Sequence, residues 1–392
     1  MSQIDMHRGI GVVRAPSFAP GSYEQDRSLR REGKVLPEQA RRHNRALVLR
    51  TLFHEGAMSR ADLARETSLT RVTISDLVGD LIDDTYIVEL GIRAASGPGK
   101  PAMLVDLNRT GHSIIALDVS RADVLAGALM NVDGTMVERR ERDIPPHPDD
   151  VLDALIALAR DLIVESTVPI LGVGVGTPGV VTDEGVVLNA PNVGWLNLDL
   201  RTQLEDALRL PVIVGNDANA AVLAEYTFSE AGEDIMLVKV DRGVGAGLLS
   251  AGMPLRGGRS AAGEIGHVTV GANDGPACVC GKNGCLEAWI SVPALTERMQ
   301  DVADSDMVLR EAGRRLGAAI APIIGALDLS EIVLAGPEDL LAGSFMKAVD
   351  DTVHDRMLDD NAPIHIRMSE HGRDSVLMGA TVKVLAGRLG VS

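Results

Sequence analysis

This sequence predicts an α/β fold carrying a winged helix-turn-helix near its N-terminus, and three observations predict it. From residue 114 onward, buried-strand runs alternate with helical stretches and are interrupted by hairpin turns. Ahead of them, three short helical patterns lead into two strand-like runs joined by a basic loop. Between Gly263 and Glu287, all 3 cysteines of the 392-residue chain follow a histidine within one short segment.

Taken in order, residues 1–36 are rich in Pro, Gly, Ser and Arg with no sustained period, and read as a mobile arm. Beyond Pro37 an apolar stripe of Ala46, Leu47, Leu49, Leu52 and Phe53 predicts a helix that stops near Gly56. Ser59, with Asp62 three residues on, forms a capping box for a second helix. Thr70 then caps a third helix over 71–83. Ala61, Leu63, Ala64, Leu69, Val72, Ile74, Leu77, Leu81 and Ile82 are expected to supply the core of this head. That leaves Arg71, Thr73, Ser75 and Asp76 at the solvent end of the third helix, the part that reaches base edges in a major groove. The runs 86–90 and 103–107 predict strands, and the loop 91–101 between them carries Arg93 and Lys100, placed to meet phosphate or a minor groove.

Charge supports this division. The formal net charge is −17, yet residues 1–110 hold 16 Lys and Arg against 14 Asp and Glu, while the remainder holds 22 against 41. An acidic body with a basic front suits a protein that touches nucleic-acid phosphate with one end only. No apolar run approaches the length of a membrane span, and no hydrophobic signal core opens the chain, so a cytoplasmic protein without membrane contact is expected. The length exceeds one compact core, so two or three domains are expected.

In the body, 114–119 and 124–130 are strand runs, 131–135 is a hairpin turn, 148–165 is a helix, and 171–176 is a strand closing on Thr177-Pro178-Gly179. A strand at 212–214 leads into Asn216-Asp217 and a further helix, and such strand ends commonly carry polar ligand contacts. Cys278, Cys280 and Cys285, with His267 eleven residues ahead of the first, make a Cys3His set suited to tetrahedral structural zinc in a reducing compartment. Gly281 and Gly284 let the backbone turn tightly enough to aim the three thiols together.

The order ExGH, then CxCGxxGCxE, is carried here by Glu264, Gly266, His267, Cys278, Cys280, Gly281, Gly284, Cys285 and Glu287. It resembles the signature of the ROK family of repressors, open reading frames and sugar kinases, and the resemblance spans roughly residues 40–390. It implies a two-lobed actin-like, sugar-kinase fold behind the winged helix-turn-helix. It also implies a structural zinc on His267, Cys278, Cys280 and Cys285, and a sugar pocket bordered by Glu264, His267 and Glu287. Asn192, Asn216 and Asp217 complete a set of amide, carboxylate and imidazole groups suited to sugar hydroxyls. In ROK kinases the position matching Asp217 is the general base, here a vestigial one. The head resembles the DNA-binding domain that ROK repressors carry and ROK kinases lack.

The departures fall on the nucleotide side. Where kinases of the family have DxGxT, this chain has Asp118-Val119-Ser120-Arg121-Ala122-Asp123, with serine for glycine, alanine for the hydroxyl residue and an added acid. The second loop runs Asp241-Arg242-Gly243-Val244-Gly245-Ala246-Gly247, altered in its first half, and Gly336-Pro337 replaces a Gly-Gly pair. Asp123 disfavours Mg-ATP, with Arg121 or Arg242 as the available offset. The expected function is therefore a sugar-responsive DNA-binding regulator, a repressor of carbohydrate genes, without kinase activity. The alternative is an ATP-dependent sugar kinase that also binds DNA. Expected partners are double-stranded operator DNA, a sugar or sugar-phosphate effector, and a second copy of the chain in a homodimer or homotetramer. The expected domains are the arm 1–36, the head 37–109, a first lobe of 110–230 with 375–392, and a second lobe 231–374.

Overall fold

The computed structural model describes residues 37–92, 102–121, 124–271, 275–300, 302–358 and 364–391. The arm 1–36, the loop residues Arg93 and Lys100, and Ala122 and Asp123 lie outside the described residues. The chain divides into two units, residues 1–44 and 45–392; the described part of the first is the opening of a helix.

The head comprises α1 (Pro37–Glu55), β1 (Met58–Ser59), α2 (Arg60–Glu66), α3 (Arg71–Asp83), β2 (Ile87–Ile92) and β3 (Met103–Leu107), with strand order β1-β3-β2. The caps are local chemistry and fall where the sequence puts them. Ser59 accepts from the Asp62 amide while the Asp62 carboxylate reaches back, and Thr70 accepts from the Thr73 amide. Val48, Leu49, Leu52, Leu63, Ile74, Leu77, Val78 and Leu81 form a core continuous with Leu389 and Val391 at the end of the chain.

Two expected core residues are on the surface instead. Val72 is 72% exposed, and Ala61 is exposed as well. They occupy first-turn positions of α3 and α2, where the turn between the helices leaves the outer face uncovered. Val78, six residues further along α3, is buried in their place. Thr73, expected to face a groove, is half-buried, and its hydroxyl lies 2.9 Å from that of Thr70.

The first body sheet contains β4 (Ser113–Asp118), β5 (Val124–Asn131), β6 (Met136–Asp143), β7 (Ile170–Thr177) and β11 (Val212–Asn216), with α4 (Pro148–Glu165) following β6. Between β7 and β11 lie the short sheet β8 (Val180–Val181), β9 (Val186–Ala190) and β10 (Trp195–Asp199), then α5 (Leu200–Leu208). The helix α6 (Asp217–Phe228) starts directly from the end of β11.

The second sheet contains β12 (Ile235–Val240), β13 (Val244–Ser250), β14 (Met253–Pro254), β15 (Glu331–Ala335) and β16 (His365–Met368). It is accompanied by α7 (Leu286–Ile290), α8 (Val292–Gln300), α9 (Ser305–Leu327), α10 (Glu338–Leu341) and α11 (Ser344–His354). Among the described residues the strand orders are β11-β7-β4-β5-β6 and β14-β13-β12-β15-β16. Each is a three-strand antiparallel meander with two parallel strands added on the other side, so one topology occurs twice.

The last helix, α12 (Ser375–Leu389), crosses α6 closely: a Cβ at Gly379 would sit 1.8 Å from the Ala220 carbonyl oxygen. At its other end Gly390, in the left-handed region at φ +69, packs on Ala46 of α1. One helix therefore touches both the ligand-side helix and the head. Among the described residues no helix is long and apolar enough to cross a membrane.

Candidate ligand cleft and metal centre

A cavity of ≈ 390 Å³ opens where β11, α6 and the turn between β12 and β13 meet the cysteine-bearing segment. Asn192, Asn216, Asp217, Glu264, His267 and Glu287 all line it, together with Ser120 and Lys239. Over the bare α-carbon of Gly243, the Asn192 amide and a Glu287 carboxylate oxygen converge; a Cβ there would lie 2.9 Å from both. Glu287 is buried, and its Oε2 accepts from the Val244 amide at 3.0 Å, which fixes the carboxylate at the cavity wall.

Asn216 is first of all a helix cap. Its Oδ1 accepts from the Asn219 amide at 2.9 Å, and its Nδ2 donates to the Gly179 carbonyl at 3.0 Å. One N–H and one lone pair remain for a ligand. The cap also determines where Asp217, the first residue of α6, points: its carboxylate meets the Lys239 ammonium at 3.1 Å.

Lys239 is missed by a reading of the sequence, although a lysine inside the apolar strand Ile235–Val240 is a visible anomaly. It is buried, and it lines both this cavity and a second one of ≈ 610 Å³ on the far side. Burial opposes its charge, but Asp217, Asp241 and Asp118 outweigh that and hold the ammonium above its ordinary range.

Glu264 is a cavity carboxyl whose surroundings oppose its charge. Burial, then the charges of Asp217 and Glu287, push its carboxyl up to about 7. The folded protein therefore keeps a proton that the unfolded chain gives up from its ordinary 4.5, so this group costs stability as pH rises through that window. A ligand hydroxyl donating to the carboxylate favours the ionised form. Ligand binding below pH 7 is expected to release a proton, and affinity to climb with pH and level off above about 7. Calorimetry in two buffers of different ionisation enthalpy checks this; Glu264→Gln should flatten the profile, and proton uptake would refute the assignment.

Beside the cavity, ligand atoms of His267, Cys278, Cys280 and Cys285 all lie within 4.8 Å of one another. The His267 Nδ1 is 3.6 Å from the Cys278 sulfur, and the Cys280 and Cys285 sulfurs are 3.6 Å apart. A tetrahedral zinc at about 2.0–2.3 Å from each donor spaces its ligands by roughly 3.4–3.8 Å, so the set fits that ion. Gly281 and Gly284 take φ of +86 and +73, the left-handed turns that bring the thiols round. Burial pushes the Cys278 thiol up to about 12, so ionising it needs a cation at hand. With Nδ1 turned to the sulfurs, the other imidazole nitrogen is left for the cavity that His267 lines.

Between the two cavities, Ser120 lines the first and Asp118 the second. The Ser120 amide and hydroxyl bind the buried Asp118 carboxylate at 2.8 and 2.6 Å. Burial raises Asp118, with Lys239 opposing. Arg121, expected to offset phosphate-side acids, is buried in an ion pair with Glu141 at 2.7 Å. Four carboxylates, Asp118, Asp241, Glu338 and Asp339, line the second cavity.

Residues 114–386 match the family model described as the ROK family. The chain belongs to the ROK family. Its two repeated sheets are the actin-like sugar-kinase fold of that family. It is 27% identical to the xylose repressor of Caldicellulosiruptor bescii over 388 residues, covering 88% of this chain and 96% of that one. A solved ROK family transcriptional regulator, a homologue of the Escherichia coli MLC protein, superposes with a TM-score of 0.78 at 26% identity, covering 90% of this chain and 98% of that one. The ROK hexokinase of Thermus thermophilus gives a TM-score of 0.58 at 28% identity and is covered to 97%, yet takes in only 69% of this chain. A 90% match cannot omit residues 37–109, which alone exceed a tenth of the chain.

Proposed function

We propose that this ROK protein is a sugar-responsive transcriptional repressor of carbohydrate genes. The carrying observation is that near-complete likeness to a xylose repressor and to an MLC-type regulator runs through the head, whereas the hexokinase is matched almost whole by only part of this chain. In this reading α1 to β3 are a winged helix-turn-helix, and α3 enters the major groove of a duplex operator. Arg71 and Ser75 are exposed at its N-terminal end, Thr73 braces its first turn, and the exposed Val72 suits a thymine methyl. Arg93 and Lys100 would serve the wing. A two-fold operator calls for a homodimer, or a tetramer built from two.

The cleft's volume suits a monosaccharide or its phosphate, and its amides and carboxylates suit hydroxyls that both donate and accept. Phosphoryl transfer is not part of the proposal, because Asp217 already faces an ammonium and Ser120 holds Asp118. A structural zinc on His267, Cys278, Cys280 and Cys285 would hold the segment that carries Glu264 and Glu287. Ligand-driven closure of the cleft is linked to the head through α12, which packs on α6 near the cleft and on Ala46 of α1.

The test is anisotropy of labelled DNA from upstream of the protein's own gene, at fixed salt, with xylose, glucose, N-acetylglucosamine and their phosphates. One sugar should shift affinity at least about tenfold, or about 1.4 kcal/mol of coupling. Arg71→Ala should weaken specific binding by about 1–3 kcal/mol while leaving sugar binding unchanged. Absence of specific DNA binding, or Mg-ATP turnover abolished by Asp217→Asn, would sink the proposal.

A further inference from the structure

A separate cavity of ≈ 540 Å³ lies where α1, α6, α12 and the β13–β14 hairpin meet. Its volume is that of a small-molecule site, for which about 300–1,000 Å³ is usual. In a chain with a net charge of −17, three cations converge on it: Arg50 from α1, Arg256 after β14 and Lys383 from α12. Arg256 pairs with Asp183, and the Glu233 charge is felt at the Tyr226 hydroxyl in the same wall. Among the described residues, neither Arg50 nor Lys383 has a carboxylate partner.

The lysine is set in deliberately tight surroundings. A Cβ at residue 215 would come within 2.4 Å of the Lys383 ammonium, so a glycine there makes room for it. Burial, reinforced by the charge of Arg256 and opposed by Asp183, lowers Lys383 to about 8, which leaves a desolvated cation in want of an anion. Lys383 and Arg256 also line an adjoining recess of ≈ 100 Å³ that contains Asn219, whose Oδ1 is buried with no hydrogen-bond partner. A guanidinium pair and an ammonium suit a phosphate dianion, and an unpaired amide oxygen suits a hydroxyl donor beside it.

We propose that this cavity binds a small hydroxylated phosphate monoester beside the sugar cleft, with which its recess shares Asn216. Arg50 belongs to the head, Arg256 follows β14 and Lys383 belongs to α12, so a dianion held by all three would join three elements that line one cavity. The proposal goes beyond the repressor reading and does not depend on it.

The experiment is calorimetry on the full chain with glycerol 3-phosphate as probe and glycerol as neutral control, alongside titration of a neutral sugar and of duplex DNA. The wild type is expected to bind the ester and not glycerol. Arg50→Gln, at an exposed position that leaves the fold intact, and Lys383→Met should each weaken the ester at least fivefold, and together abolish it, with the neutral sugar unaffected. Ester binding that survives the double substitution overturns the proposal. So does loss of DNA affinity in Arg50→Gln with ester binding unchanged, which would make Arg50 a DNA contact instead. Loss of sugar response alone would count against the repressor reading and not against this site.

Discussion

Replacing Lys239 with methionine is expected to cost the protein about 3–5 kcal/mol of stability, the penalty for leaving buried charge unpaired. Asp217 lies 3.1 Å from the ammonium and Asp241 3.9 Å, and the fully buried Asp118 feels the same charge. Methionine fills much of the lysine's volume, so the loss isolates charge from packing. Urea unfolding should show a lower midpoint with an unchanged slope. The sign with pH is also fixed. Without the ammonium, Asp118 is raised further, the native state retains protons the unfolded chain releases, and the variant loses stability more steeply as pH rises. Adding Asp217→Asn should restore at least half of the loss. A Lys239→Met protein as stable as the wild type would show that the three carboxylates are neutral in the fold.

The same ion pair bears on function. A ROK kinase needs its aspartate free to take a sugar proton while the phosphates are neutralised by metal and backbone. Here the aspartate at the end of β11 is answered by a cation from the neighbouring strand, and that cation forms the wall between the two cavities. Under the proposed repressor reading, the ion pair would keep the carboxylate oriented for a sugar hydroxyl.

How much of this was legible in the sequence depends on how far apart the partners lie. The caps at Ser59 and Thr70 are decided within three residues, and they stand where the spacing puts them. The cysteine segment is equally local, and its four ligand groups meet. Asn216 illustrates a middle case, since a polar pair at a strand end announces a cap and a ligand contact alike, and its hydrogen bonds show the cap. Lys239 stands out in the strand IMLVKV, but its role is not legible there because its counter-charges Asp217 and Asp118 come from other elements. Arg121 reads as available for phosphate in the sequence, but Glu141 of β6, a charged strand without an apolar period, pairs with it. Val72 fits the helical period yet is exposed, because period alone does not say which turn of a helix the neighbouring helix covers.

Loss of the metal is expected to abolish the sugar response while leaving DNA binding within about twofold of the wild type. From Gly263 to Cys285 the described chain has one short 3-10 turn at Ile265–His267 and two isolated bridges, Thr269 with Cys285 and Ala277 with Asn283. Backbone hydrogen bonds such as Val270 to Gly284 and Leu286 to Val268 tie it locally, and the Cys3His set would add the strongest link, since structural zinc in small domains contributes about 10–16 kcal/mol of apparent binding free energy. Glu264, His267 and Glu287 flank or belong to this segment, so their placement in the cleft depends on it. The head's core from Val48 to Leu107, by contrast, continues into β4, β5, β7 and α12 and includes none of the cysteines. Metal analysis should find one zinc per chain, and Cys280→Ser, the exposed ligand, should lower that occupancy without unfolding the head. Operator titration with and without sugar then separates the two effects. A zinc-free protein that keeps its full sugar response would show that the bridges and α7 hold the segment unaided; equal loss of both activities would mean that the metal supports the whole fold.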